Sequence, residues 1–301
     1  MFKSFRTAVV AVAVAAAVGG AQSSPRAAMD ELLKADRDFA KQGSTTDLVT
    51  ALSAMFANDV IMPAPPERFV RGKAEAVAAL RTNAANMSSK AAWTPIGGGL
   101  SGDGQHGYTF GTMVVTRADG GKSPAKYLAY WVKGAAGWRV AAYKRVPSAQ
   151  GAAPAATMEP VLPAKLVAPV TDKKVIDAHW AGLEHAEQQF SDLAQRIGLG
   201  PAFRETGREE SINLGGASTP GFVLGNAAIA KLVQGDAPEK DGRVHWNAGE
   251  GALVASSGDL GVTFGFIIPN AGGEGKPATK SPFFTIWARA GGSGAWKYVA
   301  E

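Results

Sequence analysis

The chain has no cysteine among its 301 residues, which excludes disulfide staples, thiol chemistry and any thiolate metal site. Stability must come from buried apolar surface alone. Beyond residue 21 no stretch is apolar enough to span a bilayer, so no integral membrane segment is expected in the mature chain. A dense stripe of lysine and arginine is also missing. The formal charge of +5 falls to about +3 without Lys3 and Arg6, and Lys144 and Arg145 form only a small local pair. Nucleic acid is therefore not an expected partner. No serine, histidine and acid can be ordered into a nucleophilic triad, and no cofactor motif or set of three convergent metal ligands is legible; cofactor and metal are both expected to be absent.

The N-terminus supplies an address. Lys3 and Arg6 precede an uncharged run from Thr7 to Val18 that ends in Gly19, Gly20 and Ala21. A short basic segment, a short apolar segment and small residues at the exit make a secretory signal peptide over 1–21, with cleavage after Ala21. The mature protein is expected in the periplasm or outside the cell.

The organising feature is an internal repeat. YLAYWVKGAAGWRVAAY from Tyr127 to Tyr143 returns as FFTIWARAGGSGAWKYVAE from Phe283 to Glu301. Each is an aromatic and β-branched run, a glycine turn and a tryptophan opening a second run, which predicts two antiparallel strands. Further matches keep their order: Val70-Arg71-Gly72 with Val223-Leu224-Gly225, Trp93 with Trp246, Gly107 to Gly111 with Gly261 to Gly265, Trp131 with Trp287, and Trp138 with Trp296. Their offsets drift only from 153 to 158 residues. Two domains follow, over 28–147 and 175–301, joined by a Pro/Ala-rich linker over 148–174. A hydrophobic fraction of 46% lets each half bury its own core.

Within the first copy, helical spacing places Met29, Leu32, Leu33, Asp36, Phe39 and Ala40 along one side of a helix over 29–42. A second helix is expected over 47–57, a short strand over 59–62, a third helix over 73–84, and then a long antiparallel meander from Trp93 onward. Pro154, Pro160, Pro163 and Pro169 predict a semi-extended linker. The second copy opens on a helix over 175–197, in which Glu187 precedes Phe190 by three residues as Asp36 precedes Phe39. Both copies thus put a carboxylate at one inner position. Between Gly198 and Gly221 the second copy is longer and richer in glycine than the first.

A helical N-terminal half followed by a long antiparallel sheet predicts an α+β cone, its helices packed on the curved sheet around a cavity. LLKADRDFAKQG, FANDVIM, VRGKAEAVAAL and YLAYWVKGAAGWRVAAYKR stand where the nuclear transport factor 2-like superfamily places its first helix, first short strand, third helix and last hairpin. The chain resembles two tandem members of its SnoaL-like and ketosteroid-isomerase-like branch. The resemblance implies cystatin-like α+β cones whose cavities hold an enzyme site, a small ligand or a filled core. It also implies pairing through the open face of the sheet, either between the two repeats or in a homodimer.

The candidates for chemistry are few. His106 shares a strand face with Tyr108 and Phe110, and its counterpart Leu260 argues that it points inward, where it could serve as a general base. Asp36 and Asp59 are candidate cavity acids, and Tyr130 is a candidate donor to a developing enolate. Tyr108, Tyr127, Tyr143, Glu187 and His245 are candidate ligand contacts, and Arg71 could orient an anion at the cavity mouth. His179 and His185 lie six apart on a helix, on different sides, so HWAGLEH is not a metalloprotease motif. The GxGxxG at Gly97, Gly99 and Gly102 has no following helix and reads as a hairpin turn. Three functions remain: binding of a small apolar or amphipathic ligand in a cone cavity, which the sequence favours; a structural or partner-binding role with filled cavities; and isomerase- or dehydratase-like proton transfer.

Overall fold

A computed structural model describes residues 24–150, 156–235, 243–270 and 279–301. The signal peptide expected over 1–21 lies outside the described residues. The first copy runs α1 (Pro25–Gly43), α2 (Leu48–Met55), β1 (Phe56–Ala64), β2 (Arg68–Arg71), α3 (Lys73–Arg81), β3 (Lys90–Leu100), β4 (His106–Thr116), β5 (Lys122–Gly134) and β6 (Gly137–Pro147). The second repeats this order with α4 (Lys173–Ile197), α5 (Leu199–Thr206), β7 (Gly207–Asn213), β8 (Val223–Leu224), α6 (Asn226–Gln234), β9 (Val244–Val254), β10 (Leu260–Pro269), β11 (Ser281–Ala288) and β12 (Lys297–Ala300). The stretch between Gly198 and Gly221, divergent in sequence, still supplies a helix and a first strand.

Each copy forms one six-stranded sheet, in the orders β2-β1-β6-β5-β4-β3 and β8-β7-β12-β11-β10-β9. The strands pair antiparallel except where β1 meets β6 and β7 meets β12. Both sheets carry a bulge at one equivalent place. Ala141 is skipped between the pairs Tyr130–Ala142 and Trp131–Val140, and Val299 between Ile286–Ala300 and Trp287–Tyr298. A bulge bends its strand and sharpens the local twist, which wraps each sheet toward its helices.

The long helices start on caps written in the sequence. Ser24 accepts from the Ala27 amide and Pro25 takes the first turn of α1, while Asp172 caps α4 through the Lys174 amide. Met29, Leu32, Asp36 and Ala40 are the buried stripe of α1; Leu183, Glu187, Phe190 and Ala194 are that of α4. Gly72 and Gly225 open α3 and α6 at φ values of +88° and +86°. That left-handed conformation explains why Val-Arg-Gly and Val-Leu-Gly keep their glycine.

Three apolar clusters result. One fills the first cone around Leu32, Trp93 and Trp131, and another lies in the second around Phe190, Trp246 and Trp287. The third lies between the sheets, where Tyr108, Phe110, Leu128 and Tyr130 meet Val262, Phe264, Phe284 and Ile286. Both faces of each sheet are therefore buried, one by its helices and the other by the second sheet. The copies pack sheet to sheet within one chain. Polar groups fix the pairing: Asp103 accepts from Ser256 Oγ at 2.7 Å and Asp259 from the Gly102 amide at 2.9 Å. Lys126, fully buried, donates to the carbonyls of Thr219 and Gly221 at 2.8 Å each.

Over its described residues from 156 onward the linker is extended, as its prolines dictate, and it also adds to a sheet. Val161 donates to Gly98 O at 2.9 Å and receives from Leu100 N at 3.1 Å, covering the edge of β3. Gly99 permits the approach, since a Cβ there would stand 3.0 Å from Val161 O and 2.5 Å from the Tyr108 ring. This is the physical role of the glycine run that mimics a phosphate loop.

Candidate functional site

A polar network built on one acid, one threonine and two tryptophans sits inside each cone, with Tyr127 added in the first. In the first, Asp36 accepts from Trp93 Nε1 and Tyr127 Oη at 2.8 Å each, and Trp131 Nε1 donates to Thr109 Oγ1 at 2.8 Å. In the second, Glu187 accepts from Trp246 Nε1 at 2.6 Å, from Trp287 Nε1 at 2.9 Å and from Thr263 Oγ1. Both acids are fully buried. Burial drives the Asp36 carboxyl above its usual range, against the opposing hydrogen bonds of Thr109, Trp93 and Tyr127. Burial likewise pushes Glu187 up to about 7, with Thr263, Trp287 and Trp246 opposing.

Two substitutions between the copies decide what surrounds these acids. Tyr127 in the first cone is Phe283 in the second, so the hydroxyl that covers Asp36 has no equivalent over Glu187. Tyr143 is replaced by Glu301. Tyr143 fills space in the first cone against Phe56 and Tyr127, with ring centroids 5.7 and 6.5 Å away. In the second cone the vacated volume is a cavity of about 210 Å³, walled by Phe203, Trp246, Ile267 and Phe283 and reached by Glu187 and Glu301. Burial raises the Glu301 carboxyl too, and Lys144 of the first copy opposes that rise. The first cone has a hollow of about 240 Å³ beside Met62, Leu80, Tyr143 and Arg145, but Asp36 does not line it.

The Glu187 shift fixes a sign for the pH dependence of stability. The folded state holds this proton up to about pH 7, whereas an unfolded glutamate releases it near 4.5. Rising pH across that window therefore destabilises the fold, by on the order of 3 kcal/mol at 1.36 kcal/mol per unit. His106 acts oppositely on the acid side, since burial lowers its pKa. The Glu187 contribution is thus the difference between the wild type and Glu187→Gln. Denaturant titrations at pH 5 and pH 8 should show a smaller loss of stability with rising pH in the variant; equal losses would contradict the assignment.

The other candidate residues are dispersed. Asp36 lies on the cone side of its sheet. His106 and Tyr130 do meet, Nδ1 to Oη at 2.9 Å, but on the opposite face, within the packing between the copies. His106, Asp36 and Tyr130 thus do not share one cavity, which corrects the proton-transfer reading: successive strand residues alternate faces, and Tyr108, Phe110, Leu128 and Tyr130 of β4 and β5 face the second copy. Tyr108 belongs to that same packing. Asp59 is exposed on β1, outside the cavity. Arg71 is not at a cone mouth; it reaches the Glu250 carboxylate at 3.2 Å, linking the copies. His245 is exposed on β9, with Nδ1 2.5 Å from Asn270 Oδ1. Tyr127 and Tyr143 face the first cone, Tyr143 beside its hollow, and Glu187 lines the cavity of the second.

A hollow of about 710 Å³ beside Arg71, Trp180 and Glu250 is an open surface groove. Among the described residues no group of three histidines or carboxylates could hold a metal ion. His179 instead faces Arg289 Nη2 at 3.0 Å. No helix among the described residues is long and apolar enough to cross a membrane. Sequence reasoning matched Thr109 with Thr263 and the tryptophans with one another but missed their convergence on the acids. The available signal was that one threonine and two tryptophans recur together with one carboxylate.

No family model matches the chain, and no curated protein matches it. Among solved structures it is similar to an NTF2-like protein with a cystatin-like fold from Novosphingobium aromaticivorans, at 19% identity and a TM-score of 0.31, over 42% of this chain and 84% of that one. An NTF2-like protein from Shewanella oneidensis is similar at 13% identity and a TM-score of 0.30, over 40% and 98%. A ketosteroid isomerase-like protein from Erwinia carotovora atroseptica is similar at 17% identity and a TM-score of 0.29, over 41% and 93%. These likenesses concern the fold.

Proposed function

We propose that this is an exported protein that binds a small, mainly apolar ligand inside its second cone. The observation that carries the reading is the contrast between two copies of one fold. The same inner acid is closed over by tyrosine in the first and lines an apolar cavity in the second. At about 210 Å³ the cavity lies below the usual range of about 300–1,000 Å³ for drug-sized ligands, so the ligand is small. The first cone, whose acid is closed over and lines no hollow, acts as the structural half, and the leader over 1–21 supplies the export.

A proton-transfer reading has one point in its favour, the burial that pushes the Glu187 carboxyl up to about 7. Its tyrosine donors stand elsewhere, Tyr127 in the other cone and Tyr130 on the outer sheet face. Binding is therefore the better-supported function. Small aromatic and alicyclic compounds should raise the melting temperature, by the equivalent of about 2.7 kcal/mol at a hundredfold excess over Kd. Val233→Phe, which adds bulk to the cavity wall, should abolish the effect. Equal stabilisation of wild type and variant, or none of either, would overturn the proposal.

A further inference from the structure

We infer that the ligand of the second cone is a small protonated amine, its ammonium held between Glu187 and Glu301 and its apolar body against Phe203, Trp246 and Phe283. The inference rests on the binding reading above and adds the chemical class. Two carboxyl groups line the cavity, and among the described residues its wall holds no lysine, arginine or histidine. The cation that acts on Glu301 is Lys144 of the first copy, which is not part of the wall.

The lone pairs of Glu187 are unevenly used. Pairing with an ammonium favours the ionised form of Glu187, and an ionised carboxylate offers about four acceptor directions. Oε2 takes both Thr263 and Trp287, whereas Oε1 takes Trp246 alone. One direction at Oε1 remains for a ligand donor. Glu301 Oε2 has the Asn213 amide at 3.4 Å, a long contact that a charged donor would displace. An ammonium satisfies both oxygens at once, and its attraction to them is strong in an apolar enclosure. A bound carboxylate would meet two like charges. Aromatic faces on the wall favour a cation attached to a hydrocarbon body. The first cone shows the converse arrangement, since the hollow at its mouth carries Tyr143 and Arg145 where the second has Glu301.

Calorimetric titration of the full chain with benzylamine and cyclohexylamine, against benzyl alcohol and cyclohexanol as neutral matches, tests this. Each amine should bind at least about tenfold more tightly than its alcohol, and Glu301→Gln should remove most of that advantage. Glu187→Gln should do the same. Because Glu301 is only half-buried, its variant keeps the test available if the Glu187 variant does not fold. Alcohols binding as tightly as amines would overturn the amine assignment and leave the binding reading standing. Binding of none of the four compounds would overturn both.

Discussion

Asp36→Ala should destabilise the first cone by about 2–5 kcal/mol, read as a lower denaturant midpoint. The carboxylate accepts from Trp93 and Tyr127 in a region with no exposed surface. Removing it leaves two buried donors, each costing about 1–3 kcal/mol when unmet. Thr109 stands close enough to share in the network, which limits the Tyr127 penalty but not that of Trp93. The triple replacement Asp36→Leu, Trp93→Phe and Tyr127→Phe removes acceptor and donors together and should regain most of the lost stability, because matched apolar substitution leaves nothing unsatisfied. A single variant as stable as wild type would show that Asp36 does not organise this core.

Phe264→Ala should cost about 3–5 kcal/mol, the usual range for emptying a buried aromatic site, and should be felt in both copies. Phe264 is fully buried and touches the first copy through Phe69, at 6.0 Å between ring centroids, and its own sheet through Phe284 at 6.2 Å. With the sheets sharing one core, the wild type should unfold in a single transition whether followed by tryptophan fluorescence or by circular dichroism. The variant weakens the shared core and leaves the two cone interiors intact, so the two probes should separate. Coincident transitions in Phe264→Ala, at an unchanged midpoint, would show that the sheets contribute little to each other.

Much of the architecture was legible because it is written twice. The repeated hairpin, the recurring Val-x-Gly before a helix and the ordered tryptophans gave the two cones, and the positions of Asp36 and Glu187 came from comparing the copies. Faces were harder to read. A strand buried on one side alternates polar and apolar residues, but β4 and β5 are buried on both, so alternation does not say which side is the cavity. His106 points inward as its leucine counterpart implied, yet into the packing between sheets. Parity along β5 separates Tyr127 from Tyr130, since an odd spacing puts them on opposite faces. Arg71 with Glu250, and Lys126 with the loop at Thr219 and Gly221, depend on how the copies meet, and nothing local in the sequence records that. Glu301 stood in the sequence only as the partner of Tyr143; its importance comes from the space that the smaller side chain leaves.

Xenon is the most direct probe of whether the space beside Glu187 is open to an apolar guest and that beside Asp36 is closed, because it enters apolar cavities without needing a polar partner. In crystals pressurised with the gas, a xenon site is predicted between Phe203, Ile267 and Phe283, with none beside Asp36. Xenon against Asp36 and Trp93, or an empty second cone, would contradict it.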